Sequence, residues 1–181
     1  KVERRPSERS KKPARTSHAD HYDLTIHSED TEYLLVDGYN IIFAWDELHR
    51  LAAQDVAAAR GALINILANY QGFRKCRVIV VFDAYKVKGN PGSVQTVHGV
   101  KVVYTKEAET ADTYIERATY ELRRERRVRV ATSDGPEQVI ILGHGALRVS
   151  ARAFHAEVEA AEGQISAVLQ SLTHRPRSER T

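Results

Sequence analysis

The chain has 181 residues, of which 42% are apolar and 28% charged, so it is long and apolar enough for one domain with a buried core. Its single cysteine, Cys76, excludes an internal disulfide framework and fits a reducing, cytoplasmic setting. No apolar run approaches the roughly 18–20 residues of a membrane span, so no membrane partner is expected. The chain begins at Lys1 and contains no methionine, which suggests a fragment of a longer protein.

The formal net charge of +3 is mild, and its distribution along the chain is more informative. Residues 1–16 carry seven basic and two acidic side chains, whereas residues 17–32 carry five acidic side chains and no Lys or Arg. We therefore predict a disordered charged leader or linker over residues 1–32. A basic arm could bind RNA through its phosphates, and a solvated linker between domains explains the composition equally well.

Strand-like and helix-like segments alternate after this leader, a pattern that is typical of a parallel sheet covered on both faces. The predicted strands are 33–36, 77–82, 100–104 and 128–132. The predicted helices are 55–72, ended by Gly72, then 111–126, one with Pro136 in its first turn, and one from about Ser150. In the last helix, apolar residues from Phe154 to Leu172 alternate at spacings of four and three. We predict that this seam packs on the core in its first half and touches a partner in its second half.

Acidic residues follow the strand-like runs. Asp37, Asp83 and Asp134 each come directly after such a run or one residue beyond it, and Asp112 opens a helix after strand 100–104. The carboxyl ends of parallel strands share one edge of a sheet, which is where ligands bind in open α/β folds. Carboxylates gathered there repel one another unless cations lie between them, and Mg²⁺ or Mn²⁺ are suitable cations. Such ions activate water for phosphodiester hydrolysis.

Each acid also has a structural explanation, since Asp often caps a helix or lies in a turn. Thr110 is a suitable cap for its helix, however, so Asp112 is left without that role and only a helix-dipole role remains as an alternative. Capping would not select aspartate four times, because Ser, Thr and Asn cap equally well. The set of four therefore favours a metal site.

Several other chemistries lack their motifs. No glycine-rich nucleotide-binding motif is present, so no nucleotide cofactor is expected. The eight histidines do not form His-Glu-x-x-His, and one cysteine does not build a thiolate zinc site. Asp83-Ala84-Tyr85 lacks the second acid of a phosphoaspartate motif, which disfavours a phosphatase. Cys76 lies between Lys75 and Arg77, which could lower its pKa, although a buried, inert thiol is the better interpretation.

These segments resemble the NYN branch of the PIN-like nucleases, and specifically the YacP-like family of ribosome-associated bacterial endoribonucleases. The resemblance covers about residues 33–162. The segments that carry it are Leu34–Ile42, Val78–Ala84, Val87–Gly89, Tyr104–Asp112 with Ile115-Glu116, Val130–Asp134 with Glu137-Gln138, and Gly143–Arg152. Val36-Asp37-Gly38-Tyr39-Asn40 and Glu109-Thr110-Ala111-Asp112 are the most specific of them.

The resemblance implies an α/β, PIN-like (NYN) three-layer fold with a central, mostly parallel sheet and a C-terminal helix. It divides the chain into the leader 1–32, a nuclease domain 33–162, and a helix extension and polar tail 163–181. It implies cleavage of single-stranded RNA with Mg²⁺ or Mn²⁺, and it points to mRNA on the ribosome in the cytoplasm. Asp37 and Asp112 match the principal catalytic, metal-binding acids of the family, and Asp134 matches a third.

Relatives outside this branch often have a further acid where this chain has Pro136, which puts a complete four-acid site in doubt. A non-catalytic RNA- or ribosome-binding module, such as the C-terminal domain of a translational GTPase fusion, is therefore the alternative.

The remaining residues near the predicted acids have supporting roles. Asn40 is expected to orient water or a phosphate oxygen, and Asp83 to support the other acids. Lysine side chains close to the acidic edge are expected to contact RNA phosphates, and an aromatic side chain there is expected to stack on a base. The predicted RNA-binding residues are Lys86, Lys88, Lys106 and Tyr85.

Overall fold

The computed structural model describes residues 31–84, 88–124, 126–133 and 145–173. Its strands are β1 (Tyr33–Asp37), β2 (Arg77–Phe82), β3 (Ser93–Val97), β4 (Val100–Tyr104), β5 (Val128–Thr132) and β6 (Leu147–Ser150). Its helices are α1 (Gly38–Ala44), α2 (Asp46–Gln54), α3 (Val56–Arg74), α4 (Ala111–Leu122) and α5 (Ala151–Thr173). Nearly all of the predicted leader, the helix predicted around Pro136 and the tail after residue 173 lie outside the described residues, so the proposed division of the chain stays a prediction.

Within the described residues, six strands form one sheet in the order β3-β4-β2-β1-β5-β6. Strand β3 is antiparallel to β4, and every other pairing is parallel. Leu35 at the centre of β1 is paired with Ile79 of β2 on one side and Val130 of β5 on the other. The parallel strands therefore end together at one edge, here called the carboxyl edge, and begin together at the opposite amino edge.

Both faces of the sheet are covered, because successive side chains of a strand point to opposite faces. Leu34 and Val36 belong to a core formed with α1, α2, α3 and α5, whereas Leu35 belongs to a second core formed with α4. All three leucine and valine side chains are fully buried. The predicted three-layer α/β fold with a mostly parallel sheet is thus confirmed.

Two predicted helix ends are wrong. Helix α3 does not stop at Gly72 but continues to Arg74 and ends where Lys75 adopts a left-handed backbone with φ of 52°. A glycine inside a helix costs only about 1 kcal/mol relative to alanine, which the burial of neighbouring Tyr70 outweighs. Helix α4 ends at Leu122 rather than residue 126, because the carbonyl of Arg127 already accepts a hydrogen bond from Tyr33 at 2.8 Å in the sheet.

The two outer strands were not predicted. Strand β3 is mostly exposed, and β6 has only four residues with one buried side chain, Val149, so neither has the apolar pattern of a buried strand. Helix α5 runs through Gly163 to Thr173, and its buried residues end at Ala161. No helix in the described part of the chain is long and apolar enough to cross a membrane.

Candidate active site

Asp37 is the last residue of β1, at the carboxyl edge, and only 4% of its surface is exposed. It precedes helix α1, yet its side chain makes no capping hydrogen bond to that helix. Gly38 follows it and lies against the buried ring of Phe82, where an added Cβ atom would be 2.3 Å from the ring carbon Cε1. The Asp-Gly pair therefore turns the chain tightly under a packed ring and leaves the Asp37 carboxyl group available for another function.

Asp112 meets Asp37 at this edge from the first turn of α4. Thr110 caps that helix by accepting a hydrogen bond from the amide of Thr113 at 3.1 Å, which agrees with the cap predicted from the sequence. Asp112 is thus not required as the cap, and its carboxyl group lies close enough to that of Asp37 to raise the pKa of Asp37. The two acids that the sequence places 75 positions apart form one carboxyl pair.

The electrostatics of the pair are unfavourable for two negative charges. Burial and then the charge of Asp112 raise the pKa of Asp37 to about 7, with a smaller raising contribution from the charge of Asp83. The Asn40 side chain opposes this shift by donating a hydrogen bond to Asp37 Oδ2. Two neighbouring carboxyl groups of which one is buried favour a positive partner, such as a shared proton or a cation.

Asn40 also links the pair to the neighbouring strand. Its side-chain nitrogen lies 3.4 Å from the hydroxyl oxygen of Thr132, the last residue of β5, which is buried. Asn40 is therefore fixed between β1 and β5 and orients the Asp37 carboxyl group. Its nitrogen contacts the carboxyl oxygen, so it holds the acid in place.

Asp83, which was predicted to support the other acids, contacts the helix that carries Asp112. It follows β2 at the same edge, and its Oδ1 accepts a hydrogen bond from the amide of Ala111, the first residue of α4. Burial and the nearby charge of Asp112 raise the pKa of Asp83, and the Ala111 hydrogen bond opposes them. Asp83 thus anchors the start of the helix that carries Asp112, which is a supporting role.

The donor set suits a hard divalent cation. Mg²⁺ is commonly held by one or two carboxylates together with water and phosphate oxygens, so Asp37 and Asp112 suffice as protein ligands. Among the residues that the structure describes, no group of three or more His, Cys, Asp or Glu side chains is placed to hold a metal ion. The predicted third ligand, Asp134, lies outside the described residues, two positions after Thr132. Its role stays a prediction.

The predicted RNA-binding lysines lie on two loops that are joined to each other. Lys88 and Lys106 are both exposed. The amide of Gly89 donates to Glu107 Oε2 at 2.8 Å, and the amide of Glu107 donates to the carbonyl of Asn90 at 2.9 Å. These bonds keep the two lysine-bearing loops together beside the carboxyl edge. Tyr85 and Lys86, the other two predicted contacts, lie outside the described residues.

One cation at this edge was not predicted from the sequence. Arg60, near the start of α3, donates a hydrogen bond from Nη1 to the hydroxyl oxygen of Tyr39 at 3.0 Å. Tyr39 lies two residues after Asp37. The location of Arg60 could have been predicted from the sequence. A helix that leads into a parallel strand begins at the carboxyl edge, and Arg60 lies in the second turn of such a helix.

Two of the cavities in the described part of the chain lie at opposite edges of the sheet. The larger, of about 630 Å³, lies at the amino edge and is lined by Cys76, Arg77 and Lys101 among others. Burial raises the pKa of the Cys76 thiol to about 11, so the interpretation of an inert cysteine holds. A cavity of about 540 Å³ lies at the carboxyl edge, lined in part by Ser133 and Arg152. The acid pair lies at the carboxyl edge, whereas the larger cavity lies at the amino edge.

Comparison with known proteins agrees with this geometry. A family model described as the YacP-like NYN domain matches residues 34–181. A Bacillus subtilis protein named uncharacterized protein YacP is 48% identical over 143 residues, which are 78% of this chain and 84% of that protein.

Solved structures of a protein from the same organism are also similar. The crystal structure of a tryptophan-to-leucine mutant of Rae1 (YacP) from Bacillus subtilis aligns with a TM-score of 0.71 and 43% identity, over 81% of this chain and 87% of that one. A second crystal structure of Rae1 (YacP) aligns with a TM-score of 0.67 and 48% identity, over 78% and 81% of the two chains. This chain therefore belongs to the YacP-like NYN domain family.

Proposed function

We propose that this chain is a divalent-metal-dependent endoribonuclease that cleaves single-stranded RNA. The family relation supports a nuclease-type, RNA-related function. The observation that carries the proposal is the pairing of the buried Asp37 with the half-buried Asp112 at the carboxyl edge, since neither acid is needed as a helix cap. An electrostatically unfavourable pair indicates a functional site, because carboxyl groups with perturbed pKa values concentrate at such sites.

Asp37 and Asp112 would hold the metal ion, and Asp134 is proposed as a third ligand. When bound, a Mg²⁺ or Mn²⁺ ion would lower the pKa of a coordinated water molecule and neutralise charge on the scissile phosphate. Asn40 holds the Asp37 carboxyl group in place. Asp83 holds the helix that presents Asp112. Lys88 and Lys106 are proposed to contact RNA phosphates.

The test is Asp37→Asn, which keeps the size of the side chain and removes its charge. We expect cleavage of a single-stranded oligoribonucleotide to be abolished while the fold, followed by circular dichroism, is retained. The matched control is Asp55→Asn, because Asp55 caps α3 by accepting from the Ala58 amide at 3.1 Å and Asn caps equally well. EDTA should stop turnover of the parent chain, and Mn²⁺ should restore it. Cleavage by Asp37→Asn at the rate of the parent would mean that the site is wrongly assigned.

The alternative is a non-catalytic module that binds RNA or the ribosome, and the same experiments separate it from the enzyme. Such a module would bind RNA equally well with and without metal, and it would show no EDTA-sensitive cleavage. Anomalous diffraction from Mn²⁺ between Asp37 and Asp112 would support the enzyme.

We also propose that the substrate is mRNA on the ribosome, in the cytoplasm. A small domain with one site has little surface for reading sequence, so delivery to a translating ribosome would provide specificity. The charged leader and the outer half of α5, where Val168 and Leu172 are exposed, are proposed to serve docking. Sedimentation of the full chain and of a version lacking residues 1–32 through ribosome gradients tests this. If neither sediments with ribosomes at low salt, a free ribonuclease remains.

A further inference from the structure

A row of four aromatic rings runs along the carboxyl edge from α1 to the end of β4. The ring centroids are 6.2 Å apart for Phe43 and Tyr39, 5.1 Å for Tyr39 and Phe82, and 5.6 Å for Phe82 and Tyr104. Phe82 is fully buried, Tyr39 and Tyr104 are half-buried, and 53% of the surface of Phe43 is exposed. The row therefore has its fully buried ring in the interior, and at α1 it ends in an exposed ring, Phe43, that lies six residues after Asp37.

The half-buried cation of Arg60 lies against this row. Its Nη1 donates to the Tyr39 hydroxyl oxygen at 3.0 Å, and it also interacts with the Tyr104 hydroxyl. Partial burial disfavours the charged form, but the interactions with Tyr39 and then Tyr104 outweigh it and raise the pKa of Arg60. In the part of the chain described by the structure, no carboxylate forms an ion pair with Arg60.

This pairing is unusual because buried or half-buried arginine side chains are normally matched by carboxylates. Arg129, another half-buried arginine, follows that rule, with Nη2 lying 2.7 Å from Glu157 Oε1. Arg60 instead contacts two phenol groups, and no carboxylate among the described residues neutralises its charge. A positioned, unneutralised guanidinium group is suited to an anion supplied by a ligand.

The fold places this cation beside the acid pair. Helix α3 leads into the parallel strand β2, so its first turns, which contain Arg60, lie at the carboxyl edge. Tyr39, which Arg60 contacts, is two residues from Asp37 and lies in the first turn of α1. Because the Tyr39 oxygen accepts from Arg60, its own hydroxyl proton remains available to donate to a further acceptor.

We infer that Arg60, Tyr39 and Tyr104 bind a backbone phosphate of single-stranded RNA and that Phe43 stacks on the adjacent base. Together they form a one-nucleotide subsite next to the scissile phosphate. The inference rests on the proposed function for its substrate class. Guanidinium and phenol groups donate to phosphate oxygens, and an exposed ring supported by a second stacked ring offers a rigid face to a base.

The first test measures binding of a short oligouridylate by fluorescence anisotropy over a series of salt concentrations, in an Asp37→Asn background that prevents cleavage. Arg60→Gln should weaken binding and lower the salt slope by about 0.7, the value for one phosphate contact on a single strand. Arg77→Gln is the matched control, because Arg77 is an exposed arginine at the opposite, amino edge. It should leave both quantities unchanged.

Phe43→Ala tests the stacking half of the subsite. It should weaken binding about fivefold to a hundredfold while the salt slope stays constant, because stacking involves no counterion release. Tyr39→Phe keeps the ring row and removes the hydroxyl group, so it should resemble a weaker form of Arg60→Gln.

Thermal unfolding of the same variants separates binding from a structural role. If Arg60→Gln lowers the melting temperature but leaves the affinity and the salt slope unchanged, Arg60 only fastens α1 to α3 and the inference is wrong. If these variants alter binding as expected but the parent chain shows no metal-dependent cleavage, the subsite stands and the proposed nuclease function fails. The two failures are therefore distinguishable.

Discussion

The two edges of the sheet differ in how their polar groups are satisfied. At the amino edge, Gln71 accepts from the Val78 amide at 2.8 Å and donates to the Gly99 carbonyl at 2.9 Å, so its side chain completes the local hydrogen bonding. At the carboxyl edge, Asp37 is buried beside another acid and its pKa is raised to about 7. The amino edge has the larger cavity, of about 630 Å³, but its groups serve the fold. Unfavourable electrostatics, rather than cavity size, identify the candidate site.

The largest effect on activity is expected from a substitution in the acid pair at the carboxyl edge. Asp112→Asn removes one of the two negative charges, and we expect the cleavage rate to fall by about a thousandfold or more, since a metal ion contributes several kcal/mol. The free energy of unfolding of the Asp112→Asn variant should equal or exceed that of the parent. The substitution relieves repulsion with Asp37, and Thr110 still caps the helix. Oligonucleotide cleavage and urea unfolding measure the two quantities. Activity within tenfold of the parent would contradict the assignment.

A second comparison uses two glycines at opposite edges. Gly38→Ala places a Cβ atom 2.3 Å from the Phe82 ring, which is held in the aromatic row, so we expect a loss of roughly 2–3 kcal/mol in unfolding free energy. Gly72→Ala lies in a helix with nothing within 4 Å, so it should gain roughly 0.5–1 kcal/mol. Chemical denaturation measures both. Equal effects at the two positions would mean that the packing under Asp37 is looser than described.

The ion pair of Arg129 and Glu157 gives a pH dependence opposite in sign to that of a buried acid pair. Glu157 is partly buried, which alone would raise its pKa, but hydrogen bonding and charge interaction with Arg129 lower it below 4.5. Its contribution is therefore present above the unfolded pKa and is lost as the pH falls through the folded pKa.

Glu157→Gln should accordingly reduce the unfolding free energy by about 2 kcal/mol at pH 7 and by progressively less as the pH falls through the lowered pKa of Glu157. Unfolding in urea at several pH values checks this. Glu162→Gln is a suitable control, because Glu162 is an exposed acid on the same helix. A loss for Glu157→Gln that does not change with pH would show that packing, rather than charge, provides its contribution.

The smallest effect is expected from Cys76 beside the larger cavity. Cys76→Ala should leave cleavage within about twofold of the parent and cost about 1 kcal/mol of stability. With its thiol pKa raised to about 11, Cys76 should react slowly with iodoacetamide at pH 7.5 in the folded chain and rapidly after unfolding. Mass spectrometry of the alkylated protein measures this. Rapid alkylation of the folded chain, or loss of cleavage in Cys76→Ala, would indicate a functional site at the amino edge.

Local sequence was sufficient to predict the four central strands. It was also sufficient to predict that Asp37 follows the first strand and that Asp112 lies in the first turn of a helix. A buried parallel strand is a short apolar run on its own, and the Thr110 cap acts on a residue three positions away. These signals are complete within a few residues, so no tertiary contact is needed to read them. The helix ends failed where a distant contact decided the outcome, as for Arg127, whose carbonyl is bonded to Tyr33 in β1.

The sequence by itself therefore determined the α/β class, the mostly parallel pairing of the strands and the acids that follow them. Only the tertiary structure decided what each polar group contacts. Asp83 holds the amide of Ala111 rather than joining the acid pair, because the β2 end and the α4 start meet in space. Arg60 reaches Tyr39 across 21 positions because α3 returns to the carboxyl edge. Hydrogen bonding and burial depend on distances between segments, and sequence periodicity reports only the face on which a residue lies.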